Sequence, residues 1–233
     1  MATNPSIELI ASPKVLVIPV AENNEPLVDL RIAGGICIGP SPEIPNNQDY
    51  YYLRKTVYEK LIAAQKMLPK GLHFCLYEAY RSLELQDSLF QNRLKKVQAL
   101  HPNWTYSQQF TETTRLVSPV LNFDGSKNVP PHSTGGAFDL YLIDEQGLAV
   151  DMGIHPKDWM EDKDGSISQT DSKDISDTAQ HNRAIMNKVL EDQGFANYPA
   201  EYWHWSYGDR YWAYVKKEPA AIYGSIAEKD VPR

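Results

Sequence analysis

The stretch PPHSTGGAFDLYLID, Pro130 to Asp144, sets a histidine, two glycines and an aspartate just ahead of an apolar run. Residues Phe138 to Ile143 read as a strand, which makes Asp139 a side chain on a rigid platform. Gly135 and Gly136 let the backbone turn tightly and pack closely between His132 and that strand. A second stretch, EYWHW (Glu201–Trp205), puts another histidine among large aromatics. Such a sequence suits a buried wall of low dielectric, which favours a neutral imidazole at His204. If the two stretches meet, His132, Asp139 and His204 supply three protein ligands to a zinc ion and leave one position for water. His155, in the loop after the Asp139 strand, is an alternative ligand. His73, His101 and His181 read as ordinary structural residues.

Glu201 lies three residues before His204. On an ideal strand an odd separation sends two side chains to opposite faces. Either the chain bends or bulges between them, or Glu201 belongs to the loop after Pro199, and the loop is the expectation. A carboxylate beside metal-activated water is what a general base requires. Arg81, in YEAYRS, follows a strand and precedes a helix N-terminus, where it can reach into a cleft and stabilise an oxyanion. Glu78 can orient it through a bidentate pair.

Outward from these stretches, Val15–Val20 reads as a short strand and residues 33–49 as a loop rich in Gly, Pro and Asn. YYLRKTVYEKLIAAQKML places Leu53, Val57, Leu61 and Ala64 on one helical face, with a stop before Pro69 and Gly71. Leu72–Tyr80 reads as a strand. A second helix begins at Ser82 as N-cap. A third turns Ile185, Met186, Val189 and Leu190 inward and ends at Gly194. EYWHWSY is the last strand. This order predicts an α+β fold, one domain over residues 1–233, with helices packed on a mainly antiparallel central sheet beside a zinc cleft. The acidic run from Asp158 to Asp177 lacks the glycine and glutamate spacing of a calcium loop and reads as a solvated surface loop.

With 233 residues, 42% of them hydrophobic, the chain can bury a substantial core. Its net charge of -7 and the lack of a basic stripe argue against nucleic acid as a partner. Cys37 and Cys75 form no C-x-x-C pair and read as two small buried apolar residues. No apolar run approaches the roughly 20 residues that span a bilayer. No secretory leader is recognisable, so a cytoplasmic protein is expected; a periplasmic or secreted one with its signal removed would look the same. Oligomeric state is not legible.

HSTGGAFDL, EYWHW and YEAYRS, in this order and approximate spacing, resemble the D-alanyl-D-alanine dipeptidases, zinc peptidases related to D,D-carboxypeptidases. The resemblance runs from about Asp29 to the region of Tyr214. It implies that His132, Asp139 and His204 bind one zinc ion per chain, that Glu201 is the catalytic base, and that Arg81 stabilises the transition state. It implies a small D,D-dipeptide as substrate, cleaved to two D-alanines. Candidates for holding that substrate are Asp158, Ser133 and Glu78. The chain departs from the family pattern at Pro130, where resistance-conferring members carry serine, and at Ile32, where they carry a tyrosine. Asp158 stands one residue later than the expected ammonium partner. These departures motivate a second expectation, a D,D-carboxypeptidase or endopeptidase acting on longer peptidoglycan stems. A third is a non-catalytic, zinc-stabilised module that binds wall peptides; it has no need of Glu201 or Arg81.

Overall fold

The computed structural model describes residues 7–40 and 47–232. Residues Val15–Val20, expected as a strand, begin instead inside a short helix, α1 (Pro13–Leu16). Ser12 precedes it, and the ring of Pro13 presets φ for the first helical turn. Val15 is buried there against Tyr198, Ala200 and Tyr211. Val20 makes only an isolated bridge to Ala221. Next come β1 (Leu27–Asp29), α2 (Leu30–Ala33) and β2 (Cys37–Ile38). The segment 33–49 expected as loop therefore contains a short strand, and its residues 41–46 lie outside the described residues.

The helix read from Tyr51 onward starts later. Tyr52–Arg54 is a strand, β3, paired antiparallel with β1, and α3 spans Lys55–Gln65. Leu53 is buried as a strand residue, while Val57, Leu61 and Ala64 form the buried face of α3. β4 (His73–Glu78) and α4 (Leu83–Leu100) fall where expected, and the Ser82 hydroxyl accepts the Leu85 N–H at 3.2 Å as N-cap. α5 (Tyr106–Thr113) escaped the sequence reading, although Thr105 and Gln108 spell its capping box.

β5 (Ala137–Ile143) is buried at every position. α6 (Asp177–Asp192) turns Met186, Val189 and Leu190 inward, with Ile185 half-buried, and Gly194 follows its end in the left-handed region at φ 84°. β6 (Ala196–Tyr198), β7 (Glu201–Ser206) and α7 (Arg210–Lys216) complete the chain order. The acidic run before α6 is less solvated than expected. The Asp162 carboxylate accepts the Ser168 N–H at 2.7 Å, and the Arg183 guanidinium donates to the carbonyls of Gln169 and Ile167. Cys75 is buried as expected, whereas Cys37, on a two-residue edge strand, is exposed.

Among the described residues the main sheet has the order β2-β4-β5-β7-β6, parallel only between β2 and β4. This is the expected α+β architecture on a mainly antiparallel sheet. Side chains alternate across a strand, so each sheet face has its own job. Phe74, Leu76, Phe138, Leu140 and Leu142 belong to the main core with residues of α3 and α6. Cys75, Tyr77, Tyr141 and Ile143 form a separate cluster on the other face. Asp139 shares the parity of Tyr141 and therefore points away from the main core. No helix is long and apolar enough to cross a membrane among the described residues.

Candidate metal centre

His132 sits on a short 3-10 turn, Pro131–Thr134, immediately before β5. The Thr134 hydroxyl donates to the Pro131 carbonyl at 2.6 Å and accepts the Gly136 N–H at 2.9 Å, which locks the turn. Gly135 ends it in the left-handed region at φ 69°. At Gly136 a Cβ would meet the Tyr207 carbonyl oxygen at 2.6 Å, so strand and turn approach too closely for any side chain. Gly136→Ala is expected to cost about 1–3 kcal/mol of stability, by overpacking against backbone that cannot yield. Chemical denaturation reads it, and an unchanged midpoint would show that the close approach is relaxed at no cost.

Asp139 of β5 pairs directly in register with His204 of β7. The turn brings His132 above that pair. His132 Nε2 lies 3.1 Å from His204 Nδ1 and 3.4 Å from Asp139 Oδ1, and His204 Nδ1 lies 3.0 Å from Asp139 Oδ1. Three donors at about 2.0–2.1 Å from one tetrahedral ion stand about 3.3 Å apart, so the triangle has the right size. His132 Nδ1 donates to the Ala79 carbonyl at 2.7 Å. A carbonyl only accepts, so Nδ1 carries a hydrogen and Nε2 is left as the ring atom that can bind a cation in the triangle. Nε2 and the Asp139 oxygen thus face each other at 3.4 Å, a pair that a bound cation would bridge. All three residues are buried, and they form the one group of metal-capable side chains of this kind among the described residues. Burial raises the Asp139 carboxyl, but the charge of His132 and hydrogen bonds from both imidazoles outweigh it and hold the group well below the usual carboxylate range.

Glu201 is not in a loop. It is the first residue of β7 and pairs with Tyr198 of β6. The next partner pair is Asn197 with Trp205, so β7 holds a bulge across residues 202–204. The bulge turns Glu201 toward the side of His204, the alternative that an ideal strand forbids. Its carbonyls are satisfied from side chains: Asn197 Nδ2 donates to Glu201 at 3.3 Å and His204 at 3.0 Å, and Trp205 Nε1 donates to Tyr202 at 3.0 Å. Glu201 is 8% exposed and lines the same cleft as the three donors. Burial, then the nearby Asp139 charge, pushes its carboxyl well above the usual range; His132 and Arg81 oppose the rise.

Arg81 lines that cleft as well. Its Nε donates to Glu78 at 3.0 Å and its Nη2 to the other Glu78 oxygen, while Nη1 donates to Gln86 at 2.9 Å. Gln86 in turn donates to the Ser118 carbonyl at 2.7 Å. A register shift between Leu76 and Glu78 sets Glu78 opposite Asp139. Glu78 thus sits fully buried behind the arginine rather than on the cleft wall. Ser133 is fully buried, with a hydroxyl that finds no partner among the described residues, and it too stays off the wall. Asp158 lies on the 3-10 turn Pro156–Glu161, whose Pro156 and Trp159 line the cleft while Asp158 does not. Ile32 is 85% exposed on the surface. His155 caps that same turn by accepting the Lys157 N–H at 3.1 Å and stands beside Tyr141, outside the triangle.

Several residues around the centre were not read from the sequence. Gln86 clamps Arg81 from the first turn of α4, and nothing in its spacing marks it. Ile10, Leu89 and Trp159 close the cleft as apolar walls. Asp209 caps α7 by accepting the Trp212 N–H at 2.7 Å and the Ser206 hydroxyl at 2.9 Å through Oδ1. Its Oδ2, and Nε2 of His204, are buried without a hydrogen-bond partner among the described residues.

The sequence profile described as D-ala-D-ala dipeptidase, of peptidase family M15, matches residues 46–220. A D-alanyl-D-alanine dipeptidase of Synechocystis sp. is 27% identical over 91% of this chain and 96% of its own length. The D-alanyl-D-alanine dipeptidase of Escherichia coli K12 is 30% identical over 58% of this chain and 54% of its own length. Among solved structures, VanYB in complex with D-Alanine-D-Alanine aligns with a TM-score of 0.41 at 15% identity, over 77% of this chain and 84% of that one.

Proposed function

The chain belongs to the D-Ala-D-Ala dipeptidase family of M15 peptidases, and from that premise we propose that it hydrolyses free D-Ala-D-Ala to two D-alanines in the cleft of His132, Asp139 and His204. The observation that carries the proposal is the convergence, on one cleft, of three buried metal donors, a buried carboxyl and a clamped arginine. Two imidazoles and one carboxylate at tetrahedral spacing fit zinc, one ion per chain. The chemistry such an ion supplies when bound is polarisation of the scissile carbonyl and acidification of a water.

The remaining work belongs to the chain. Glu201 accepts a proton from the attacking water and returns one to the leaving nitrogen, so that a C–O bond forms as the C–N bond breaks. Its burial keeps bulk water from competing for that proton. Arg81 faces the oxygen on which negative charge develops, and Glu78 and Gln86 fix its orientation so that little reorganisation is needed during the step. A binding module has no use for either group. In this conformation the proposal assigns Ser133 and Asp158 no direct contact with substrate.

The test is hydrolysis of D-Ala-D-Ala by the zinc-loaded protein, with L-Ala-L-Ala, a pentapeptide ending in D-Ala-D-Ala and an EDTA control alongside. Cleavage of the free D,D-dipeptide, abolished by EDTA, is the expected result. Preferential cleavage of the pentapeptide would replace the dipeptidase by a carboxypeptidase. Zinc binding without any cleavage would remove the roles given to Glu201 and Arg81.

A further inference from the structure

β2 is an edge of the main sheet, and its two residues run parallel to β4 with Cys37 directly opposite Cys75. Side chains alternate across a strand and register partners share a face, so both thiols lie on the face of Tyr77 and Tyr141, away from the main core. Neighbouring strands stand about 4.8 Å apart, inside the roughly 4.4–6.8 Å that Cα atoms span across a disulfide. The Cys75 thiol is within side-chain hydrogen-bonding reach of Cys37. At Gly39, the next residue of that edge on the same face, a Cβ would stand 3.7 Å from Cys75 Sγ, so the glycine lets the edge lie close over the sulfur.

The two sulfurs have unlike surroundings. Cys37 is exposed, whereas Cys75 is buried and donates to the Tyr141 hydroxyl at 3.1 Å. Burial pushes the Cys75 thiol up to about 12. A reagent arriving from solvent therefore meets Cys37 first, and Cys75 stays protonated until a sulfur bonded to Cys37 is presented to it. The chain between the two cysteines carries β3 and α3, so a bond here closes those elements and the sheet edge into one loop. Neither cysteine lines the catalytic cleft.

We infer that Cys37 and Cys75 are a dithiol modification site, which low-molecular-weight disulfides convert to a cross-strand disulfide that staples the sheet edge to β4. The Cys37 thiolate attacks one sulfur of the small disulfide RSSR, forms a mixed disulfide and expels RS−, which is protonated to the first RSH. Cys75 then attacks the Cys37 sulfur, the bond from Cys37 to SR breaks, and the Cys75 proton leaves with the second RSH. Two protein thiols are oxidised by two electrons in all, and one RSSR is reduced to two RSH. With one sulfur exposed, the bond is of the labile kind that a thiol reductant reopens. The pair rests as the dithiol in a reducing compartment and as the staple in an oxidising one.

The experiment treats the whole protein with oxidised glutathione and reads intact mass, free thiols and thermal midpoint, with Cys37→Ser and Cys75→Ser alongside. Wild type is expected to lose both thiols and two hydrogens, to keep no glutathione and to stay a single chain on a non-reducing gel. Its midpoint should rise by about 5–10 °C, the effect of a cross-link that restricts the unfolded chain, and dithiothreitol should reverse the rise. Cys75→Ser should retain one glutathione on Cys37, because no second thiol displaces it. Cys37→Ser should stay unmodified, because Cys75 is buried. Wild type that keeps glutathione on Cys37 with Cys75 free overturns the proposal, as does a dimer linked through Cys37. A disulfide that forms and leaves the midpoint unchanged overturns the staple. If Cys75→Ser folds poorly, wild type and Cys37→Ser decide the matter between them.

Discussion

Glu201→Gln is expected to bind zinc like the wild type and to lose on the order of 10^2–10^4-fold in kcat, the range that a positioned general base supplies. The substitution is nearly isosteric, so the cleft keeps its shape while the proton acceptor is gone. The environment makes the assignment testable by pH as well. Burial first, and the Asp139 charge second, hold the folded-state carboxyl well above its ordinary value. Between the ordinary glutamate value of about 4.3 and that raised value, the folded protein binds a proton that the unfolded chain has already released. Stability then falls as pH rises through this window, by the linkage relation. The metal-free wild type should show that loss and metal-free Glu201→Gln should lack it. A bound cation favours the charged carboxylate, so zinc should lower the acid limb of the rate profile toward the ordinary range. A variant with full turnover would leave Glu201 as a buried structural acid and nothing more.

The centre was more legible than the scaffold around it, and for a physical reason. His132, Asp139 and His204 are carried by local devices that a sequence spells out: a glycine pair, a strand, an aromatic wall. Helices with caps were equally plain at Ser82 and Gly194. What failed depended on pairing. Tyr52–Arg54 has a helical pattern, yet it becomes a strand because β1 lies beside it. Val15–Val20 is apolar enough for a strand, but Pro13 starts a helix that buries Val15 against α7 and β7's neighbours. The same limit applied to Glu201. A bulge exists only relative to a partner strand, and the asparagine that fills it, Asn197, sits on a strand too short to announce itself. The closing side chains Ile10, Leu89 and Trp159 come from three separate parts of the chain, and no spacing links them.

Asp139→Asn should separate the metal from the fold. The carboxylate is 4% exposed and lies within hydrogen-bond reach of His204, so the isosteric amide can occupy the same space. The charge that faces the two imidazoles and would draw a cation to them is removed. Changes behind a metal ligand typically weaken binding by about 10–100-fold, and loss of a charged ligand itself should reach at least the upper end. The readout is zinc-dependent stabilisation, which follows the free zinc concentration relative to Kd. At a thousand times the wild-type Kd, wild type gains about 4.1 kcal/mol. A 100-fold weaker site at the same zinc sits at ten times its own Kd and gains only about 1.4 kcal/mol by the same relation. The metal-free variant should stay folded but be less stable than metal-free wild type near neutral pH, because the fold holds the Asp139 carboxyl well below its usual range and so gains stability from its charge. If zinc stabilises the variant as strongly as wild type, Asp139 is not a ligand, and His155 on the far side of Tyr141 becomes the residue to test. If the metal-free variant instead unfolds, the carboxylate holds the two histidine-bearing segments together even without a metal, and the site is a structural hinge of the sheet before it is a catalytic one.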